Sequence, residues 1–264
     1  MLVKLLKYDL KYMIKNMIVF YLLSFFFAIT TRILFHIEQS VIVTVLRNIS
    51  IGFLISMAAN ILINTMMRSW IRFRDSLYKD ESYLTHTLPV TKNDLYLSKF
   101  ILTFLFFFLG FIVILLCLFL AFYSKENWML ISKFVKNITI GLNMSTIFFV
   151  TMFILVVFLE FFNAIQCGFY GIILGHRKNN GKIGYSVFYG FLFYLITQMM
   201  VLGLVFIYGL FDPSIMALFK TATVSIDANA FKTLLILAST FYLGIIFIMF
   251  ELCKKALNKG VNVE

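Results

Sequence analysis

Charge is scarce in this sequence. Only 13% of its 264 residues are charged, against 62% hydrophobic, whereas a soluble domain carries about 25% charge and 45–50% apolar residues. So few charged groups cannot cover the surface of a water-soluble domain of this length, and a soluble enzyme is excluded. Proline is almost missing: Pro89 and Pro213 are the only two, and both fall outside the long apolar runs. Those runs are therefore free to form uninterrupted helices. The three cysteines, Cys117, Cys167 and Cys253, lie within or at the end of apolar runs and follow no metal or redox spacing, so they read as reduced membrane-core residues. His36, His86 and His176 fall in different loops, and no metal site is assigned.

A nucleotide site is also missing. The run from Gly175 to Lys182 (GHRKNNGK) has five residues between its glycines, and Ile183 stands where a phosphate loop needs Ser or Thr. No catalytic residue and no bound cofactor is assigned to this chain.

Long aromatic and aliphatic runs fill the sequence, with 33 Phe and 13 Tyr. One helical crossing takes about 20 apolar residues. Six fit, at about Met17–Phe35, Ile49–Met67, Phe100–Tyr123, Ser145–Leu174, Gly184–Gly209 and Thr233–Leu252. The expected fold is an all-α integral membrane domain over residues 17–252, with a C-terminal tail over 253–264. The opening MLVKLLKYDLKYMIKN shows no short hydrophobic region followed by a cleavage site, so the first span is expected to be retained. The fourth run is longer than a straight crossing needs. It must tilt, bend near Gly168 and Gly171, or continue past the bilayer.

Sixteen of the 23 basic residues lie on one side of this arrangement, from Lys4 through Arg68–Lys99 and Arg177–Lys182 to Lys259. The positive-inside rule then places both termini in the cytosol. The net charge of +11 is dispersed among short loops; it reads as a topology signal and a match to anionic lipid, not a nucleic-acid surface. In residues 1–16, Val3, Leu6, Leu10, Met13, Ile14 and Met17 share one helical arc, with Lys4, Lys7, Lys11 and Lys15 beside it. That pattern predicts an amphipathic helix lying along the cytosolic interface.

The longest charged segment, Arg68 to Lys99, is too long for a simple helix–helix connection, where about 2–8 residues is usual. Pro89 should stop one helix, and Thr91 with Asp94 should cap the next. Between them a short helix is expected around Asp80–Thr87. Its exposed candidates are Tyr78, Glu81, Tyr83, Leu84 and His86, a mixture suited to a protein contact.

The run Phe73-Arg74-Asp75, then Glu81-Ser82-Tyr83-Leu84-Thr85, Thr87-Leu88-Pro89-Val90 and Ser98-Lys99 resembles the corresponding loop of ABC-2 type transporter permeases, the membrane subunits of ATP-driven bacterial exporters. The layout of six spans with both ends inside, and the Gly175-His176-Arg177-Lys178-Asn179 turn, is similar too. This resemblance implies that the short helix is a coupling helix docking on a separate cytosolic ATP-binding subunit, present in two copies, which would supply ATP and Mg. It also implies a second permease copy or a related permease, a bacterial cytoplasmic membrane, and a central path flanked by spans two and five.

Candidates for that path come from the polar residues within the spans. Ser56, Asn60, Asn64 and Arg68 recur at intervals of four and share one face. Glu160 lies well inside span four, with Asn163, Gln166 and Cys167 close by in sequence. A charge near a bilayer centre costs on the order of 3 kcal/mol, so it should face protein or water. In span five, Gln198 and Met199 are candidates through the resemblance. Hydrogen bonding between helices is the competing role for Asn60, Asn64 and Asn163. The apolar interior suits a hydrophobic or amphipathic cargo such as a peptide, antibiotic or lipid. A vitamin-importer membrane module and an intramembrane enzyme remain the alternatives: the first would not need so long a second cytosolic loop, and the second needs partners that Glu160 lacks in its own span.

Overall fold

The computed structural model describes residues 2–38, 40–79, 81–87, 89–213, 215–216 and 228–260. Among the described residues the regular structure is helical throughout: α1 (Leu2–His36), α2 (Val41–Leu77), α3 (Glu81–Thr87), α4 (Lys92–Phe122), α5 (Lys125–Gly141), α6 (Thr146–Gly175), α7 (Lys182–Phe211) and α8 (Ala228–Asn258). Six of these, α1, α2, α4, α6, α7 and α8, are long and apolar enough to cross a membrane. The chain has the character of a multi-pass membrane protein. Their outer faces carry large apolar side chains in the open, among them Leu22, Phe26, Ile55, Phe108, Phe191 and Ile207. That is the surface lipid requires.

The chain divides into two compact units, Met1–Trp128 and Met129–Asn262. In the first, α1 is one continuous helix of 35 residues. The stretch expected as an interfacial helix over 1–16 is, from Leu2, continuous with the first long helix. No Gly or Pro interrupts residues 2–36, and Met13 and Met17 are buried against Leu102 and Phe106 of α4. Part of the amphipathic arc therefore packs on protein. At 1.5 Å per residue α1 is about 52 Å long, which exceeds a hydrocarbon core of about 30 Å.

Deeper in this unit, Ala28, Leu54, Ile61, Val113, Cys117 and Ala121 from α1, α2 and α4 form one apolar core. Small and hydroxyl side chains let these helices approach closely. Thr31 and Ser50 hydroxyls lie 2.8 Å apart across the α1–α2 contact, and Thr30 reaches the same Ser50 at 3.0 Å.

The start of α4 follows the sequence closely. Thr91 is its N-cap and its hydroxyl accepts from the Asp94 N–H at 3.1 Å. The same hydroxyl donates to the Asp94 carboxylate at 2.7 Å. The short helix before it starts at Glu81; Asp80 and Leu88, which flank it, lie outside the described residues.

Helix α5 was not anticipated. Residues 124–144 read as a loop between spans, yet Ser124 caps a helix of 17 residues by accepting from the Asn127 N–H at 3.0 Å. Trp128, Leu130, Ile131 and Phe134 lie on one side of it and are exposed, while Lys125, Lys133 and Lys136 lie on the other.

In the second unit α6 is one continuous helical segment of 30 residues that runs through Gly168 and Gly171. Gly171 and Gly175 serve close packing. A Cβ on Gly171 would come within 2.4 Å of the Gly190 backbone, and one on Gly175 within 2.2 Å of the Ser186 hydroxyl oxygen. The Gly-x-x-x-Gly spacing is thus used inside the chain, against α7. The turn between these helices closes at Gly181, whose φ of +65° favours glycine. The expected tail at 253 is instead the last turns of α8: Cys253, Ala256 and Leu257 are buried and continue the stripe of Ile245, Ile246 and Met249 at helical spacing. Residues 261–264 lie outside the described part of the chain.

Candidate functional site

Two polar clusters stand out, one in each unit. The first ties the short helix α3 to three long helices. Asp9 of α1 is 1% exposed and Lys99 of α4 is 5% exposed. The Lys99 ammonium donates to both Asp9 carboxylate oxygens, at 2.7 and 2.6 Å. From α2, Arg72 Nε donates to the same carboxylate at 2.7 Å, and its Nη1 donates to Glu81 of α3 at 2.6 Å. The Arg72 guanidinium also lies 4.9 Å from the centre of the Tyr12 ring, within reach of a cation–π contact. Four elements are joined through two acids and two bases, and the cluster is electrically neutral.

The burial of this cluster explains its composition. A buried carboxylate needs charge-assisted hydrogen bonds to offset its desolvation, and Asp9 accepts three. Arg72 alone has the forked geometry to serve two carboxylates on different helices. On α2 and α4, and at the end of α2, Phe73, Leu77, Tyr78, Leu95 and Tyr96 are buried, with Phe73 and Tyr96 in edge-to-face contact at 6.1 Å. The short helix packs against α2 and is fastened at its first residue.

Of the contact residues expected on α3, Tyr83 and Leu84 are 64% and 74% exposed. Tyr78 is not available: it is 1% exposed. It is the C-cap of α2, its N–H donating to the Arg74 carbonyl at 2.8 Å. Glu81 has an exposed carboxylate edge but is held by Arg72, so its first partner is within the chain. His86 belongs to α3, and its side chain lies outside what is described.

The second cluster lies within α6, α7 and α8. Asn163 is fully buried and donates to the Thr197 hydroxyl at 3.0 Å; the Cys167 thiol lies 3.7 Å from its carbonyl oxygen. From α8 the Tyr242 hydroxyl donates to Gln198 Oε1 at 3.4 Å. Glu160 is half-buried and near enough to the Tyr194 and Tyr242 phenols to interact electrostatically with both. The candidates Glu160, Asn163 and Gln198 are thus brought together, and Asn163 takes the interhelical role. Met199 is not part of this cluster; it is 68% exposed on α7.

Asn60 and Asn64 lie on α2 and are half-buried. Each donates to the carbonyl one turn earlier, Asn60 to Ser56 and Asn64 to Asn60, both at 3.0 Å. Their amides bond within α2, not across to another helix. The protein-facing stripe of α2 is another set: Leu54, Ile61, Thr65, Ser69 and Phe73.

Asp9, Arg72 and Lys99 escaped the sequence reading. Asp9 is the one acid in residues 1–16, among four lysines. It was legible as an anomaly, but its partners stand 63 and 90 residues away, beyond any local spacing rule.

No family model matches the sequence, no curated protein is significantly similar to it, and no solved structure matches the fold. The functional reading rests on the residues and their geometry.

Proposed function

We propose that this chain is the membrane-spanning permease subunit of an ATP-driven ABC exporter of the bacterial cytoplasmic membrane. It works with two copies of a separate cytosolic ATPase and with a second permease copy or a related permease. The observation that carries the reading is α3: a helix of seven residues that offers Tyr83 and Leu84 outward while Glu81, Arg72, Asp9 and Lys99 fasten it to three long helices. A solvated linker needs neither feature. Exposed aromatic and aliphatic groups beside charge suit a protein partner, and a fastened helix transmits a push to the helices it is tied to. The resemblance of residues 73–99 to the coupling loop of ABC-2 permeases points the same way. In this mechanism ATP-driven closure of the ATPases presses on α3, and the long helices alternate between inward and outward access. A hydrophobic or amphipathic cargo fits the apolar interior.

The test is purification of the tagged chain from its native host in mild detergent. A stoichiometric co-purifying subunit that carries a phosphate-loop motif, and is lost from a Tyr83→Ala/Leu84→Ala variant of unchanged thermal stability, is the expected result. A wild-type chain that repeatedly purifies alone overturns the reading.

A further inference from the structure

We propose that Glu160, with Tyr194, Gln198 and Tyr242, forms an intramembrane receptor for an organic cation, namely a protonated amine with a carbonyl beside it. This names the cargo chemistry and rests on the reading of the chain as a translocating subunit. Glu160 is central in α6: at 1.5 Å per residue, about 21 Å of helix separate it from either end. No ion pair to Glu160 is formed among the described residues. The surrounding helices carry no basic side chain at this level. Along α6 the nearest is Arg177, and along α7 it is Lys182. On α8, Lys232 and Lys254 lie about 15 and 18 Å of helix from Tyr242.

A carboxylate this deep is costly without a counter-charge. The first cluster shows how the same chain handles a buried acid: it supplies Lys99 and Arg72 to Asp9. At Glu160 unit two supplies phenols and an amide instead. Aromatic rings attract a cation and two tyrosines stand near the acid, while the carboxylate gives the cation a charge-assisted acceptor. Gln198 supplies the complementary group. Its Oε1 is engaged by Tyr242, while its Nε2 is buried without a partner. A donor in that position takes an acceptor from the ligand, which is why a bare ammonium fits less well than an amine flanked by a carbonyl, as in an aminoacyl ester or a peptide amino terminus.

The full-length chain in lipid nanodiscs tests this directly, with tritiated decyl leucinate as the probe and its uncharged N-acetyl derivative as competitor. Empty nanodiscs give the partition background. Saturable binding is expected, with no competition from the N-acetyl compound. It should weaken by about tenfold or more in Glu160→Gln, the loss of a hydrogen bond to a charged group. Gln198→Leu should weaken it by a smaller factor. The thermal stability of Glu160→Gln should equal or exceed that of wild type, since the variant removes an unpaired charge; a merely structural glutamate would lower it. Equal binding by Glu160→Gln, equal competition by the neutral compound, or no saturable binding overturns the proposal. None of these outcomes bears on ATPase association. Conversely, a chain that binds the amine yet never associates with an ATPase keeps the receptor and loses the exporter.

Discussion

The Asp9 cluster makes a prediction whose size follows from its geometry. Asp9→Asn keeps the volume and one acceptor oxygen but removes the charge. Lys99 then loses its anion, at 2.6 Å, while 5% exposed. Leaving one member of a buried pair uncompensated costs about 3–5 kcal/mol. Arg72 is not stranded to the same degree, because Glu81 at 2.6 Å and the Tyr12 ring remain. The reverse substitution is milder. Lys99→Met leaves Asp9 with Arg72 at 2.7 Å, so no charge is orphaned, and the methionine fills the lysine's apolar path. Glu81→Gln removes only a partly exposed pair and should cost about 1 kcal/mol or less.

Thermal unfolding of the purified chain, followed by intrinsic fluorescence in one detergent, ranks these variants. With about 2–4 °C per kcal/mol for a chain of this size, Asp9→Asn should lower Tm by about 10 °C and Lys99→Met by less. The double variant Asp9→Asn/Lys99→Met should recover much of the loss, because both buried charges are gone and the pair is coupled. An Asp9→Asn chain melting within about 2 °C of wild type, or a double variant no better than Asp9→Asn alone, refutes the assignment of a buried ion cluster.

Three further predictions concern other elements. Gly171→Ala or Gly175→Ala should destabilise the α6–α7 contact by about 1–3 kcal/mol, seen as a lower Tm, whereas Gly184→Ala, which meets nothing within 4 Å, should be silent. Trp128 on the apolar side of α5 should sit at the membrane interface, so that brominated lipids quench the fluorescence of a variant in which Trp70 is replaced by Phe; quenching no stronger than that of a soluble indole would remove α5 from the bilayer surface. Single cysteines at Leu84 and Ile140, introduced after the three native cysteines are replaced by alanine, should react with an impermeant maleimide from opposite sides of sealed cells or inverted vesicles; labelling from the same side would overturn the orientation read from the basic residues.

The sequence carried the helices better than it carried their ends. Apolar length located all six long helices, because each must bury or expose a continuous apolar surface whatever its neighbours. The termini of α1 and α8 were misplaced for one reason: lysines at 4, 7, 11, 15, 254 and 255 signal the membrane edge, but a helix continues past that edge when its apolar stripe still meets protein. Met13 and Cys253 are such continuations. Local chemistry was legible where it acts over a few residues, as at Thr91 and Asp94. Tyr78 was misjudged because a tyrosine at a helix end can turn outward or inward, and only tertiary packing decides; here it is buried. The Asp9–Lys99 pair was illegible because its partners meet through folding, across 90 residues.

Charge balance separates the roles of the two clusters. Asp9, Arg72, Glu81 and Lys99 are mutually neutralised, and every carboxylate in the set has a cation within 2.7 Å. A satisfied network gains nothing from a ligand; it ties α3 to α1, α2 and α4. The α6–α8 cluster has an acid without an ion-pair partner among the described residues and an amide donor buried without a partner. An unsatisfied network is stabilised by whatever supplies the missing groups, here a cation and an acceptor. Substitutions should divide accordingly: those in the first cluster change stability and, on the proposed exporter reading, the coupling of ATP use to transport, while those in the second change which compounds are bound and leave the fold intact. An Asp9→Asn chain that altered cargo preference without loss of Tm, or a Glu160→Gln chain that unfolded, would reverse that division.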